Sequence, residues 1–220
     1  MNTPIARISD EKPFYFSAEK LAYWFFRLNG CLFLENFLVH HEIRTKGNST
    51  EVDLLSVRFP YRQELKLTGA AMPDHKVFGN DKIEIIFAEV KSNQPCSINA
   101  SWLNSQGGNM ERMLYIVGAI PENEVNKAAK SLYQHHVYEN ATCRIRLFAI
   151  GSEENANLAK GIIQLDWTDV LFFIHKRFSG YRKFKTEHNN WDDTGSNLFE
   201  LSKIHKRDSF IQTVKGNLTK

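Results

Sequence analysis

A chain of 220 residues that is 42% hydrophobic and 12% aromatic can bury one large core, and a formal net charge of +3 is too small to argue by itself for a nucleic-acid partner. The three cysteines, Cys31, Cys96 and Cys143, are odd in number and lack any C-x-x-C spacing, which argues against a disulfide framework and predicts reduced thiols in a cytoplasmic protein. No run approaches ~20 apolar residues and the N-terminal stretch has no apolar signal core, so no membrane insertion is expected.

Residues 1–16 read as an extended arm with Pro4 and Pro13, its Phe14, Tyr15 and Phe16 docking on the core. Ser17 caps a predicted helix that runs to about Asn29 and stops at Gly30. Ala18, Leu21, Ala22, Phe25 and Leu28 form its apolar stripe, with Glu19 on the shoulder. Cys31–Ile43 reads as a strand interrupted near Glu35-Asn36, Lys46–Ser49 as a turn, and Glu51–Phe59 as a second strand pairing with the first. The stretch 60–82 mixes Gly and Pro with charges and reads as an insertion or long loop.

Ile83–Val90 (I-E-I-I-F-A-E-V) is the most apolar run and predicts a central strand buried on both faces. Past a polar stretch and Gly107-Gly108, Met110, Met113, Leu114 and Val117 keep helical spacing up to Gly118. Pro121 in a first turn opens another helix, with Val125, Ala128, Ala129, Leu132 and His136 on one face. Cys143–Ile150 is a further strand, and Ile162–Leu165 leads directly into a helix from about Asp166 to Phe178. A short helix is expected near Asn197–Lys206. The tail is basic, with ten Lys and Arg against five Asp and Glu between 172 and 220. This order predicts an α/β fold, a central mixed sheet flanked by helices.

The candidate chemistry lies where the central strand ends, in Glu89-Val90-Lys91. Alternation puts Glu89 and Lys91 on one side, and two charges closing a buried strand are costly without a partner, a metal or a reaction. A second Glu-x-Lys, Glu64-Leu65-Lys66, falls in the polar insertion, where charge costs nothing. Asp53 in Glu51-Val52-Asp53-Leu54-Leu55 stands beside Glu89 if those strands are neighbours. Two such carboxylates repel unless a cation sits between them, and oxygen-only donors suit Mg²⁺, with Mn²⁺ as a substitute.

Arranged as an acid on the first helix (Glu19), E-V-D-L-L at Asp53, E-V-K at Lys91 and a later strand–helix pair, the chain resembles the PD-(D/E)XK superfamily of restriction-endonuclease-like nucleases. The resemblance covers roughly residues 17 to 180 in element order but only four or five specific positions. It implies a restriction-endonuclease-like core over 17–180 with an insertion at 60–82, and a basic extension over 181–220. It also implies a Mg²⁺-dependent endonuclease or phosphodiesterase acting on DNA, double-stranded DNA being the expected partner. Asp53 and Glu89 would then be metal ligands with the Val90 carbonyl a third, Lys91 the catalytic lysine and Glu19 an accessory acid. No separate recognition domain is visible, so a homodimer or a partner protein is the expected source of specificity. In the tail, Arg182, Lys183 and Lys185 alternate with aromatics as phosphate contact and base stacking require.

Each feature also has a plain alternative. Asp53 can cap a strand or pair with Lys91, the helix macrodipole favours Glu19 in any case, and the tail can be a solvated face. Gln134 and Tyr138 fit the Q-x-x-x-Y pattern of the RecB-like branch, but both fall opposite the helix's apolar stripe and are set aside. The eight His show no metal-ligand spacing. The competing functional reading is a non-catalytic restriction-like subunit for nucleic-acid binding or assembly, and a third is a protein–protein module with a structural Glu89–Lys91 pair.

Overall fold

The computed structural model describes residues 15–39, 50–69, 71–79, 81–184 and 190–219. In chain order these form α1 (Ala18–Leu28), β1 (Cys31–Val39), β2 (Thr50–Arg58), β3 (Ile83–Val90), the short α2 (Ala100–Leu103), α3 (Asn109–Val117) and α4 (Glu122–His135). β4 (Val137–Glu139), β5 (Cys143–Gly151), β6 (Ile163–Asp166), α5 (Trp167–Tyr181), α6 (Asp193–Ile204) and α7 (Arg207–Gly216) follow. Residues 1–14, the turn at 46–49 and Lys185 lie outside the described residues.

The mixed sheet runs in the order β1-β2-β3-β5-β4, with β6 on the remaining half of β5. β2 is antiparallel to both β1 and β3, while β5 is parallel to β3 and β6. Apart from Ile83, every residue of β3 is buried, as expected of a strand between two covered faces. One apolar core lies between the sheet and α1, α5, α6 and α7, and another between the sheet and α3 and α4. The result is an α/β fold with a mixed, open six-stranded sheet flanked by helices.

Local chemistry explains the helix ends. Ser17 accepts from the Lys20 N–H at 3.3 Å, and Gly30 leaves α1 with φ 77°, a conformation that only glycine adopts without cost. Asp166 caps α5 by accepting from the Asp169 N–H at 2.8 Å. α4 starts one residue later than predicted, with Pro121 as its N-cap, and ends at His135. His136 has φ 62° and caps the helix, so it does not extend the apolar face. Tyr138 belongs to β4, with its hydroxyl on Glu124, and therefore shares no helix with Gln134.

Three elements have no counterpart in the predicted set, the one-turn α2 being the first. β4 has only three residues and exists through its pairing with β5. α7 places Phe210, Ile211 and Val214 in the core shared by α1 and α5, although its other residues are mostly charged or polar. Phe16 is buried and brackets the far end of the chain: its N–H donates to Asn217 O and its carbonyl accepts from Thr219 N, both at 2.9 Å. Tyr15 beside it is exposed.

The hairpin β1–β2 changes face part-way along. Cys31 and Leu54 are buried in the core under α1, whereas Val39 and Val52 are buried in the core under α3 and α4. Residues two apart on a regular strand share a face, so Leu54 and Val52 mark a switch. It falls at Asn36 and Asp53, where Asn36 has φ 50° and the Glu35↔Leu54 and Phe37↔Val52 register continues unshifted on both sides.

Candidate active site

Asp53 sits at the switch point of β2. The β2–β3 ladder ends at Leu54↔Ala88, and one further step of the same register sets Asp53 against Glu89. The next ladder bond is replaced by a side chain: the Val90 N–H donates to Asp53 Oδ2 at 2.7 Å. Glu89 is 6% exposed, and its Oε1 is paired with Lys91 Nζ at 2.5 Å. The Lys91 N–H continues the sheet on the other side, donating to Ile150 O at 2.8 Å. β3 therefore ends held by both neighbours, with its acid and its base side by side.

The electrostatics of Asp53 follow from this placement. Burial pushes its carboxyl up, to about 6, and the neighbouring Glu89 charge pushes the same way. The Val90 N–H and the Lys91 ammonium oppose the rise, and Glu19 adds a smaller contribution to it. Glu19 thus belongs to the same electrostatic neighbourhood, oriented by Ser17, whose hydroxyl donates to Glu19 Oε2 at 2.5 Å.

Asp53, Glu89, Val90, Lys91 and, at the margin, Glu19 are brought together. Arg182 and Lys183 are exposed in the turn after α5, roughly 20 Å along that helix from its Trp167 end. Trp167 is a residue that sequence reasoning missed. Its indole N–H donates to the carbonyls of Lys91 at 3.1 Å and Ser92 at 2.8 Å, fixing the chain where β3 ends. The signal was a tryptophan in the first turn of a helix; only the β5–β6 pairing brings that turn beside β3.

Among the described residues, each acid has one oxygen engaged, Asp53 Oδ2 by Val90 and Glu89 Oε1 by Lys91. The opposite oxygen of each remains as a hard donor beside a mutually repelling partner, a setting that suits a small divalent cation. Among the described residues, no three His, Cys, Asp or Glu side chains converge as a metal-holding group. A two-carboxylate set still fits magnesium, which takes one or two carboxylates and completes its shell with water and substrate phosphate.

No known protein family, curated protein or solved structure matches the chain. Among the described residues, no helix is long and apolar enough to cross a membrane.

Proposed function

We propose that this chain is a divalent-metal-dependent nuclease with a restriction-endonuclease-like core, hydrolysing phosphodiester bonds of double-stranded DNA. The observation that carries the reading is the end of β3, where Asp53, turned in by the hairpin switch, stands against Glu89 while Lys91 is held on Glu89. A magnesium ion bound by Asp53 and Glu89, with the Val90 carbonyl as a further donor, would polarise the scissile phosphate and acidify a water.

The chain's own groups do the positioning. The Val90 N–H holds Asp53 Oδ2, so the direction of its other oxygen is set before any ligand arrives. Glu89 holds the Lys91 ammonium at the mouth of the site, where it orients the attacking water and stabilises charge developing on the phosphate oxygens. Water gives up a proton as it adds to phosphorus, the bond to the leaving sugar oxygen breaks, and that oxygen takes up a proton, so that one proton is released and one consumed. Trp167 keeps the Lys91 backbone from shifting during this step. Arg182 and Lys183 contribute phosphate contacts away from the reacting centre, and Lys185, two residues beyond Lys183 in sequence, extends the same basic run.

Calorimetry with Mn²⁺ and a nuclease assay on plasmid DNA test the reading together. Wild type is expected to bind the ion and cut, and Asp53→Asn to do neither. The competing reading, a non-catalytic restriction-like subunit, draws on one observation: Lys91 Nζ at 2.5 Å from Glu89 Oε1 is also what a plain ion pair looks like. Wild-type protein that binds DNA yet takes up no Mn²⁺ and cuts nothing would establish that alternative.

A further inference from the structure

We propose that the aromatic cavity at the C-terminal ends of α1 and α5 holds an unpaired base of single-stranded DNA. The cavity has a volume of about 370 Å³, within the ~300–1,000 Å³ of small-ligand sites, and Arg27, Tyr181, Phe184 and Trp191 form its walls together with Glu64, over the buried ring of Trp24. The rings meet edge to face or tilted: Trp24 and Trp191 centroids are 5.4 Å apart, Tyr181 and Trp191 6.4 Å. The Trp24 indole N–H is anchored on Asp192 Oδ1 at 2.8 Å, which holds the ring in place.

Aromatic walls take either a cation or a flat base, and the charges decide between them. Glu64 is already bonded to Arg62, Arg177 and the Tyr181 hydroxyl, so it offers little attraction to an incoming cation. Asp192 takes both the Trp24 indole N–H and the Gly195 N–H on one oxygen, Oδ1, which fixes that side of the carboxylate to the fold. The exposed Arg27 guanidinium lies 4.8 Å from the Trp24 ring and repels a positive ligand. The turn that supplies Tyr181 and Phe184 also carries Arg182 and Lys183, both exposed. Rings inside and cations at the rim match a base with its flanking phosphates.

The helices join this cavity to the candidate active site. α1 carries Glu19 at one end and Arg27 eight residues later, a rise of roughly 12 Å. Lys20 and Tyr23 lie between them, with the Lys20 ammonium 4.8 Å over the Tyr23 ring and Arg27 donating to the Tyr23 hydroxyl at 2.8 Å. A single strand with one base in the cavity therefore runs along α1 toward Lys91. The inference takes its ligand class from the proposed nuclease function and narrows it to DNA with an unpaired segment.

The test measures binding in chelator, where no cleavage occurs. A short single-stranded DNA carrying a fluorescent adenine analogue is titrated with the full chain, beside a blunt duplex of the same sequence. Stacking is expected to quench the analogue on the single strand. Replacing Arg27 and Phe184 together by Ala should weaken single-strand binding on the order of tenfold, with duplex affinity changed far less. Both side chains are exposed, so the variant should fold. An unquenched analogue, an unchanged single-strand affinity, or displacement of the strand by a quaternary ammonium probe would each overturn the inference. The two proposals fail separately: cleavage without quenching removes the base site and leaves the nuclease, whereas quenching without metal-dependent cleavage does the reverse.

Discussion

Glu84 and Glu89 lie on the same buried strand and are neutralised differently. Glu84 is fully buried and receives two guanidinium groups, Arg144 at 3.0 Å and Arg146 at 2.8 Å, which is ample compensation for one carboxylate. Glu89 has one ammonium, and the adjacent Asp53 has a backbone N–H in place of a cation. This deficit of positive charge predicts a pH signature. Asp53 titrates near 6 in the folded protein, above its ordinary value, so folding favours its protonated form. Stability falls as pH rises through the window from about 4 to 6 and stays lower above it. Asp53→Asn removes that cost while keeping an acceptor for Val90. In chelator its melting temperature should equal wild type below about pH 4 and exceed it above pH 6, by ~2–4 °C for a gain on the order of 1 kcal/mol after allowing for solvent screening. A constant difference across pH would count against the paired-carboxylate site. Lys91→Ala has the opposite sign without metal: Glu89 loses its partner and stability drops by about 1–3 kcal/mol. Its cleavage rate should fall by ~10²-fold or more while Mn²⁺ binding survives, because lysine is not a ligand. Calorimetry and single-turnover cleavage on the same preparation check both halves.

At the scale of elements, one feature sets the site and another fastens the body that carries it. The first is the face switch in β1–β2, which relies on Asn36 tolerating φ 50°. Asn36→Gly should be nearly neutral. Asn36→Val should cost about 1–2 kcal/mol and, by straightening the hairpin opposite Asp53, weaken Mn²⁺ binding. Melting curves and metal titrations of the pair separate this from a general loss of packing, since equal stability for Gly and Val would show that the switch does not depend on the Asn36 conformation. The second feature is the insertion. Asp74 binds Arg58 at 2.6 Å and Arg177 at 2.9 Å, and Glu64 binds Arg177 at 2.8 Å, with Arg62 bridging both acids. These pairs tie the 60–79 stretch to β2 and α5, so a segment that reads as a polar loop is fastened to the body. They sit at the opposite end of the sheet from Lys91, since Arg58 pairs with Glu84 at the start of β3.

For the whole molecule, the distribution of charge matters more than the net value of +3. Arg182 and Lys183 lie beyond one end of α5 and the candidate active site lies at the other, so a bound duplex would span the length of that helix. DNA affinity should fall steeply with salt as phosphate contacts release counterions. Changing Arg182 and Lys183 together to Ala should reduce the slope of log affinity against log salt by about 2, one for each lost phosphate contact. Binding isotherms over a salt series measure it, and an unaltered slope would assign both side chains to a solvated face. Packing is equally global: an added methyl at Gly195 of α6 would meet the Trp24 ring at 1.8 Å, so α6 is seated on α1 through that glycine.

Sequence alone determined most of the elements, because capping and periodicity are local. Ser17, Gly30 and Gly118 mark helix ends that any backbone would obey, and the Ile83–Val90 run identified the central strand with its two charges. It also set Asp53 beside Glu89 on the condition that their strands are neighbours, and β2 and β3 are paired. Tertiary structure decided what depends on neighbours distant in the chain. β4 exists only against β5, and α7's short apolar face has meaning only beside α1 and α5. Trp167 reaches the Lys91 and Ser92 carbonyls only because β6 lies parallel to β5. The sequence marked an interruption near Glu35-Asn36, but its consequence at Asp53 was decided by the fold, because alternation assumes a regular strand and the turnover reflects which of two cores each half of the hairpin must cover.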